Sequence, residues 1–478
     1  MDRGEVPGYE FEVPRGPRHA GGPRHSFGHD PLRQLQHAQP EQAPRSSVRA
    51  ASTGVISVMR KRNWLMGLAV PILAAVAVGI AVVVVSGGGG SGASAPSALA
   101  AGFPPARLAG ASFTGTAGAP RVILTAIGAS RATEVAAGGV NGGPALWSSS
   151  DGGATWTRAA LTGPASMTGA GTGQLAGVAH GTAGWLAIGT TLAGRGGPLV
   201  ASSPDARTWT VTSGIAGNAV AAAVAAGPAG YVIVGHRQAG DSAAAAAWYA
   251  TGLTGWRTAT VTTQGARGEQ GAPGGQAMNA VTMTARGFVA VGATGTRPAA
   301  WVSAAGRTWQ QASVPLPAGA ARAALDYAAA NGSAVVAAGT EFSAAGASSP
   351  FAEVSADAGT TWTQVQLPVP DIGPGTGTTV TALTAAGGGF TAAGTYVTKA
   401  GPEVVIWTLP AGTPVTGGTG WVAATPQGTG LASATAENAI TALAADGVTL
   451  TGVGFTARLA GSGIPGAQQP TLWQSPIR

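Results

Sequence analysis

The chain contains GWLAIG at residues 184–189, and the same pattern returns as GYVIVG (230–235), GFVAVG (287–292), GFTAAG (389–394) and GVTLTG (447–452). Looser copies end at Gly138 and Gly339. Each copy is a short apolar run bounded by glycine, which is typical of a buried β-strand. Seven copies, with their last glycines 46 to 58 residues apart, indicate an internal repeat.

Each repeat contains further strand signals around this segment. An alternating apolar stretch precedes it, as in NAVTMTA before Gly287 and VTALTAA before Gly389. A strand commonly centred on tryptophan follows it, at Trp147, Trp248, Trp301, Trp407 and Trp473. PLVASS and PFAEVS replace that strand in the second and fifth copies. With a last strand after the next turn, every unit holds four short strands, the composition of one propeller blade.

The turn after the third strand reads SSDGGATW at residues 149–156 and SADAGTTW at residues 355–362. It resembles the Asp-box, or BNR repeat, of sialidase-like β-propellers, whose pattern is Ser-x-Asp-x-Gly-x-Thr-Trp. The matching residues are Ser149, Asp151, Gly153, Thr155 and Trp156, and Ser355, Asp357, Gly359, Thr361 and Trp362. The other copies are shorter or lack the aspartate. The resemblance implies that the box joins the third and fourth strands at the outer rim and has a structural role.

The predicted fold is therefore all-β: a seven-bladed β-propeller of four-stranded blades over residues 103–478. The seventh unit ends too soon for a fourth strand. We expect residues near Phe103 to Phe113 to supply it and close the ring, since closure removes the free sheet edges that invite aggregation.

The first 102 residues follow other rules. Residues 1–63 are rich in Pro, Arg, His and Gly and predict a disordered basic tail. Residues 64–85 carry no charge and are long enough for one transmembrane helix. Residues 86–102 are a Gly/Ser/Ala linker. Because Arg60, Lys61 and Arg62 directly precede the span, the tail is expected in the cytoplasm and the propeller outside the cell. The alternative is a signal peptide cleaved near Ala101.

Composition excludes several kinds of site. The chain has no cysteine, which rules out disulfides and thiolate metal sites. The chain has 26 basic and 19 acidic residues, of which 10 basic and 6 acidic residues lie in residues 1–63. The rest of the chain therefore has 16 basic and 13 acidic residues. This small excess of positive charge does not indicate nucleic-acid binding. The histidines have no regular spacing, and GGGGSG opens no helix, so we predict no metal site, no phosphate loop and no cofactor.

We predict no catalytic residue. Sialidases of the Asp-box type carry an Arg-Ile-Pro signature that is absent here, and the chain offers few tyrosines. Propeller ligands commonly bind near the loops that follow the second strands. The polar residues there are His236, Arg237, Glu341, Tyr396 and Lys399, which are the predicted ligand-binding residues; the alternative is that they only solvate a loop face.

The predicted role is a membrane-anchored binding or scaffolding module for a protein, peptide or cell-surface glycan. A less specific resemblance to the propellers of the photosystem II assembly factor family, which bind protein partners, favours binding. The alternative is an extracytoplasmic glycoside hydrolase of the Asp-box propeller type. That reaction would need an acidic pair across a cleft, for which Glu341 and Asp326 are the candidates.

Overall fold

The computed structural model describes residues 105–106, 122–131, 133–192, 197–215, 218–239, 242–262, 275–368, 375–398, 401–418, 420–426, 431, 436–459 and 465–477. Within them the chain forms β-strands almost exclusively, as its small and β-branched residues predict. The exceptions are the four-residue helix α1 (Ala165–Thr168) and a 3-10 helix (Val415–Gly417). No helix in this described part has the length and apolarity to cross a membrane. The predicted tail, span and linker lie outside the described residues.

The strands form seven sheets, each one blade of a propeller. The first strand of the chain is β1 (Pro105–Ala106). Blade 1 consists of β2 (Val122–Ser130), β3 (Thr133–Val140), β4 (Gly143–Ser149) and β5 (Thr157–Arg158). Blade 2 consists of β6 (Ala160–Thr162), β7 (Gly173–Gly181), β8 (Gly184–Thr191), β9 (Pro198–Ser203) and β10 (Thr208–Thr212). Blade 3 consists of β11 (Ala219–Gly227), β12 (Gly230–Ala239), β13 (Ser242–Ala250) and β14 (Arg257–Thr258).

The remaining blades repeat the arrangement. Blade 4 consists of β15 (Thr260–Thr262), β16 (Gln276–Thr284), β17 (Gly287–Thr294), β18 (Arg297–Ser303) and β19 (Thr308–Ala312). Blade 5 consists of β20 (Ala320–Asn331), β21 (Ala334–Ser343), β22 (Ser348–Ser355) and β23 (Thr363–Val365). Blade 6 consists of β24 (Gly375–Ala386), β25 (Gly389–Thr398), β26 (Gly401–Leu409) and β27 (Val422–Ala424). Blade 7 consists of β28 (Ala436–Ala445), β29 (Thr449–Leu459), β30 (Pro465–Pro476) and β1.

The ring closes as the sequence predicts. Strand β1, at the start of the predicted propeller, pairs antiparallel with β30 at its end, with Pro105 opposite Trp473 and Ala106 opposite Leu472. The first strand of each blade contacts the first strands of its two neighbours, and β2 of blade 1 contacts β28 of blade 7. Seven blades therefore form one closed ring, and main-chain pairing of the N-terminal strand β1 completes the last blade.

Apolar packing fills every seam between blades. The buried residues fall into seven clusters, and each cluster combines side chains from two consecutive blades. In five blades a tryptophan of the third strand fills the seam with the preceding blade. These are Trp147, Trp248, Trp301, Trp407 and Trp473, all at most 3% exposed. A four-stranded blade cannot bury both faces alone, so this stacking supplies the core.

The repeated glycine has a steric cause. In every blade the first strand contains a β-bulge, and the second strand has a glycine at that point. A Cβ added there would lie 1.8 to 2.1 Å from a carbonyl oxygen of the first strand, which no side chain tolerates. These glycines are Gly138, Gly189, Gly235, Gly292, Gly339, Gly394 and Gly454. The sequence pattern placed the seventh at Gly452; that register is wrong by two residues.

Blades 2 and 4 differ from the four-stranded prediction by one short outer strand. Strand β6 pairs parallel with β10, and β15 pairs parallel with β19. Each extra strand directly continues the outer strand of the preceding blade. The outer rim therefore links blade 1 to blade 2 and blade 3 to blade 4 through the main chain.

Candidate functional site

Seven bulged residues project from the first strands, which line the axis of a propeller. They are Thr125, Ala176, Ala222, Asn279, Asp326, Thr381 and Thr441. Four of them donate a side-chain hydrogen bond to the main chain of the next blade, at 2.6 to 3.1 Å. Thr441 in blade 7, for example, donates to Leu124 O in blade 1 at 2.9 Å. These bonds connect blades at the inner strands.

Asp326 is the one acidic residue among these seven. Asn279 Nδ2 donates to Asp326 Oδ1 at 3.1 Å and to Leu325 O at 3.1 Å, so the two bulges of blades 4 and 5 share one hydrogen-bonded group. Burial raises the pKa of Asp326 to about 7, although the bond from Asn279 acts in the opposite direction. Burial and the neighbouring charge of Asp326 also raise the pKa of Tyr327. Asp326 can therefore hold a proton near neutral pH.

The predicted ligand-binding residues are distributed over three blades. Arg237, Glu341 and Tyr396 occupy one repeated position, two residues after the bulge glycines of blades 3, 5 and 6. At this position the side chain faces the preceding blade. His236 precedes Arg237 and is 7% exposed, and burial lowers its pKa. Lys399 lies outside the described residues.

These side chains have different surroundings. Tyr396 is 5% exposed and belongs to the apolar cluster between blades 5 and 6. The Arg237 guanidinium lies 6.0 Å from the ring centre of Trp248. Burial raises the pKa of Glu341, whose Oε2 has no hydrogen-bond partner. Neither Glu341 nor Asp326 shifts the pKa of the other. The four predicted residues that the structure describes lie in three different blades and do not form one cluster.

The Asp-box residues form the turn that their pattern predicts. Asp151 accepts hydrogen bonds from Ser149 Oγ at 2.7 Å, Thr155 N at 2.9 Å and Thr155 Oγ1 at 2.6 Å, and these bonds lower its pKa to about 2. Trp156 Nε1 donates to Gly153 O at 2.9 Å. The second full box repeats the pattern: Asp357 accepts from Ser355 and Thr361, and Trp362 donates to Gly359. Both aspartates are engaged within their own turns.

Two glutamates are buried in seams, which sequence reasoning missed. Glu134 in blade 1 accepts a hydrogen bond from Thr451 of blade 7 at 2.7 Å, and burial raises its pKa to about 7. Gln474 of blade 7 donates to Gly152 O of blade 1 at 2.8 Å. Glu353 stands where five other blades have the seam tryptophan; both its oxygens lack a partner, and burial raises its pKa to about 8.

A cluster of arginines on the outer rim was also missed. Arg257 is the cross-strand partner of Tyr249, and the Arg307 guanidinium lies 5.7 Å from the centre of the same ring. Both arginines are exposed.

Among the described residues there is no group of three or more His, Asp or Glu that could hold a metal ion. The rim cluster could have been anticipated only by aligning the repeats and asking which copy lacks the box aspartate.

Comparisons with known proteins give structural neighbours only. No protein-family model matches the chain, and no curated protein does. A protein of unknown function from Dyadobacter fermentans DSM 18053 is 14% identical with a TM-score of 0.42, covering 64% of this chain and 96% of that one. YCF48 bound to D1 peptide is 13% identical with a TM-score of 0.42, covering 74% and 93%. Trypanosoma rangeli sialidase in complex with the inhibitor DANA is 10% identical with a TM-score of 0.36, covering 74% and 55%. By its own strand pairing and turn geometry, the chain is a seven-bladed β-propeller with Asp-box turns.

Proposed function

We propose that this propeller is a binding or scaffolding module for a protein, peptide or cell-surface glycan, held outside the cell by an N-terminal membrane anchor. The observation that carries the proposal is the setting of five acidic residues. Asp151 and Asp357 are engaged in rim turns, Glu134 and Glu353 are buried in seams, and Asp326 is bonded to Asn279. Carboxyl groups in these settings belong to turns and to seams between blades, which supports a binding role for the exposed ends and rim of the disc.

The rest of the proposal rests on sequence. The uncharged segment 64–85, preceded by three basic residues, supports an anchor with the tail inside. The 17-residue linker, with a root-mean-square reach of roughly 20 to 25 Å, would keep the propeller near the bilayer. A rigid disc on a short tether suits capture of a ligand at the cell surface.

The experiment separates binding from turnover. The full-length chain in detergent is titrated against a panel of neutral glycans, acidic glycans and peptides, and the same panel is assayed for product release. We expect saturable binding to at least one class and no product. If the chain binds no member of the panel, the proposal fails.

One observation favours a second candidate, a glycoside hydrolase. The pKa of Asp326 is about 7, in the range where a carboxylic acid can donate a proton at neutral pH. Such an enzyme needs a second carboxyl roughly 5 to 9.5 Å away, and Glu341 is the candidate. If Asp326→Asn and Glu341→Gln each abolish a measured turnover while ligand binding persists, the hydrolase replaces the binding module.

A further inference from the structure

The outer rim contains two copies of one local structure, which we call ledges. In each ledge, the chain first forms main-chain hydrogen bonds with the third strand of its own blade. It then continues as a short strand that pairs with the outer strand of the next blade. At the first ledge, Ala159 N donates to Leu146 O and Ala160 N donates to Arg207 O, both at 2.9 Å. At the second ledge, Ala259 N donates to Ala247 O and Thr260 N donates to Arg307 O, both at 2.9 Å. The two ledges therefore have the same main-chain geometry.

The two ledges differ in charge. The box turn of blade 2 is SPDARTW (203–209), and that of blade 4 is SAAGRTW (303–309), so Ala305 replaces Asp205. Asp205 accepts hydrogen bonds from the main chain at Arg207 and Thr208, and these bonds, with a smaller effect from the nearby Arg207 charge, lower its pKa. In the turn of blade 4, Ala305 supplies no such carboxylate to Arg307. In the first ledge the negative charge of Asp205 lies close to the positive charge of Arg207. The turn of the second ledge has no acidic residue at the corresponding position.

The sequence around the second ledge has a net positive charge as well. Residues 218–318 include six arginines and two acidic residues, Asp241 and Glu269. Arg257 lies in β14 of blade 3, and Arg307 directly precedes β19 of blade 4. Arg257 is the cross-strand partner of Tyr249, and the Arg307 guanidinium lies 5.7 Å from the centre of the Tyr249 ring, so the two exposed arginines lie beside the same tyrosine.

Paired guanidinium groups recognise oxyanions. Each offers two parallel N–H groups that match the two oxygens of a carboxylate. A nucleic acid is less suited, because its bases stack on open aromatic faces and Arg307 already lies over Tyr249. We propose that the second ledge binds a glycan bearing carboxylate groups, an assignment of ligand class that rests on the proposed binding function.

The test uses full-length protein and polygalacturonate as the probe, with its methyl ester as an uncharged control. Binding is measured by surface plasmon resonance at about 50 and about 200 mM salt, since contacts between charges weaken with ionic strength. Arg257→Gln/Arg307→Gln should weaken binding about ten-fold or more, as expected when two charge-assisted contacts are lost. The matched control, Arg158→Gln/Arg207→Gln, removes two arginines from the first ledge and should change the affinity less than about two-fold.

Several results would overturn the assignment. Equal losses in the two double variants would mean that only overall charge matters. Equal binding of the methyl ester would exclude carboxylate recognition, and tighter binding of polyphosphate or of a single-stranded oligonucleotide would assign a different polymer. If only neutral glycans or peptides bind, this inference fails while the proposed function stands. If nothing binds, both fail.

Discussion

At the scale of single residues, Gly153 connects the first Asp-box to ring closure. Its φ is +82°, and a Cβ there would lie 1.8 Å from Gln474 Nε2 and 2.4 Å from Glu134 Oε2. Gly346 has nearly the same φ, +84°, but an added Cβ would have no heavy atom within 4 Å. Both glycines have a positive φ, and they differ in how many atoms surround the position of an added Cβ.

This contrast gives the first prediction. Gly346→Ala should lower the free energy of unfolding by about 1 kcal/mol, from the strain of a left-handed backbone alone. Gly153→Ala should lose about 1–3 kcal/mol more, because Gln474 and Glu134 must move from the seam between blades 7 and 1. Urea unfolding of both variants measures the difference. Equal losses of unfolding free energy in the two variants would show that Gln474 and Glu134 can move away from residue 153 at little cost.

The sequence predicted the structure of the Asp-box turns better than it predicted the positions of the ligand-binding residues. Ser149, Asp151 and Thr155 act within one turn, so their spacing is enough to define their hydrogen bonds. The candidate ligand residues depend on where blades meet. Neighbouring positions on a strand point to opposite faces, so His236 and Arg237 face different blades, and Tyr396 enters a seam. A sequence pattern cannot show which loops of separate blades come together.

At the scale of secondary structure elements, the seam between blades 4 and 5 is unusual. Its third-strand position carries Glu353 in place of tryptophan, opposite Ala337 in β21 and Gln364 in β23. The side chain is fully buried and without a partner, so burial favours its protonated form. The structure thus includes a carboxylic acid that must stay neutral to fit its seam.

The second prediction is a pH dependence of stability. The pKa of Glu353 rises from about 4.5 to about 8 on folding. Below pH 4.5 both states are protonated and stability is highest. As pH rises from 4.5 to 8 the unfolded state ionises first, so this residue lowers the free energy of unfolding by up to about 1.4 kcal/mol per pH unit. Thermal unfolding between pH 4 and 9 should show this loss in the parent protein.

Glu353→Gln is the variant that isolates the effect, since it keeps the shape of the side chain and cannot ionise. Its stability should vary less with pH than that of the parent across the same window, and the two proteins should differ most near pH 8. Glu134 remains in both and titrates over a narrower window, up to about 7. Parallel pH profiles of parent and variant would contradict a buried neutral Glu353.

The elements themselves could largely be predicted from the sequence. Seven glycine-ended strands and their tryptophan partners were sufficient because the bulge in each first strand excludes every side chain at one repeated position. The seventh copy was misplaced because GVTLTG and the overlapping GVG at 452–454 both fit the pattern, and only strand pairing identifies Gly454. The extra strands β6 and β15 are three residues long, and each pairs with the outer strand of a blade that is formed later in the chain. The local sequence therefore does not predict them.

At the scale of the whole molecule, closure depends on a short contact between distant parts of the chain. Strand β1 contributes two residues to blade 7, and Leu472, opposite Ala106, is fully buried in the seam between blades 7 and 1. Among the described residues, Thr441, Thr451 and Gln474 make side-chain hydrogen bonds across that seam. Because every blade relies on two neighbours for its core, opening this seam would expose one face of blade 1 and one of blade 7.

The absence of cysteine allows a direct test of closure. Ala106→Cys/Leu472→Cys places a single pair of thiols at directly opposed positions of β1 and β30. Oxidation should form the disulfide within one molecule and stabilise the propeller by about 3–5 kcal/mol over the reduced form of the same variant, because the cross-link closes a very long loop in the unfolded chain. Comparing the two redox states cancels the cost of replacing Leu472. If no intramolecular disulfide forms, or if oxidised and reduced forms unfold at the same temperature, the ring is not held by this pairing.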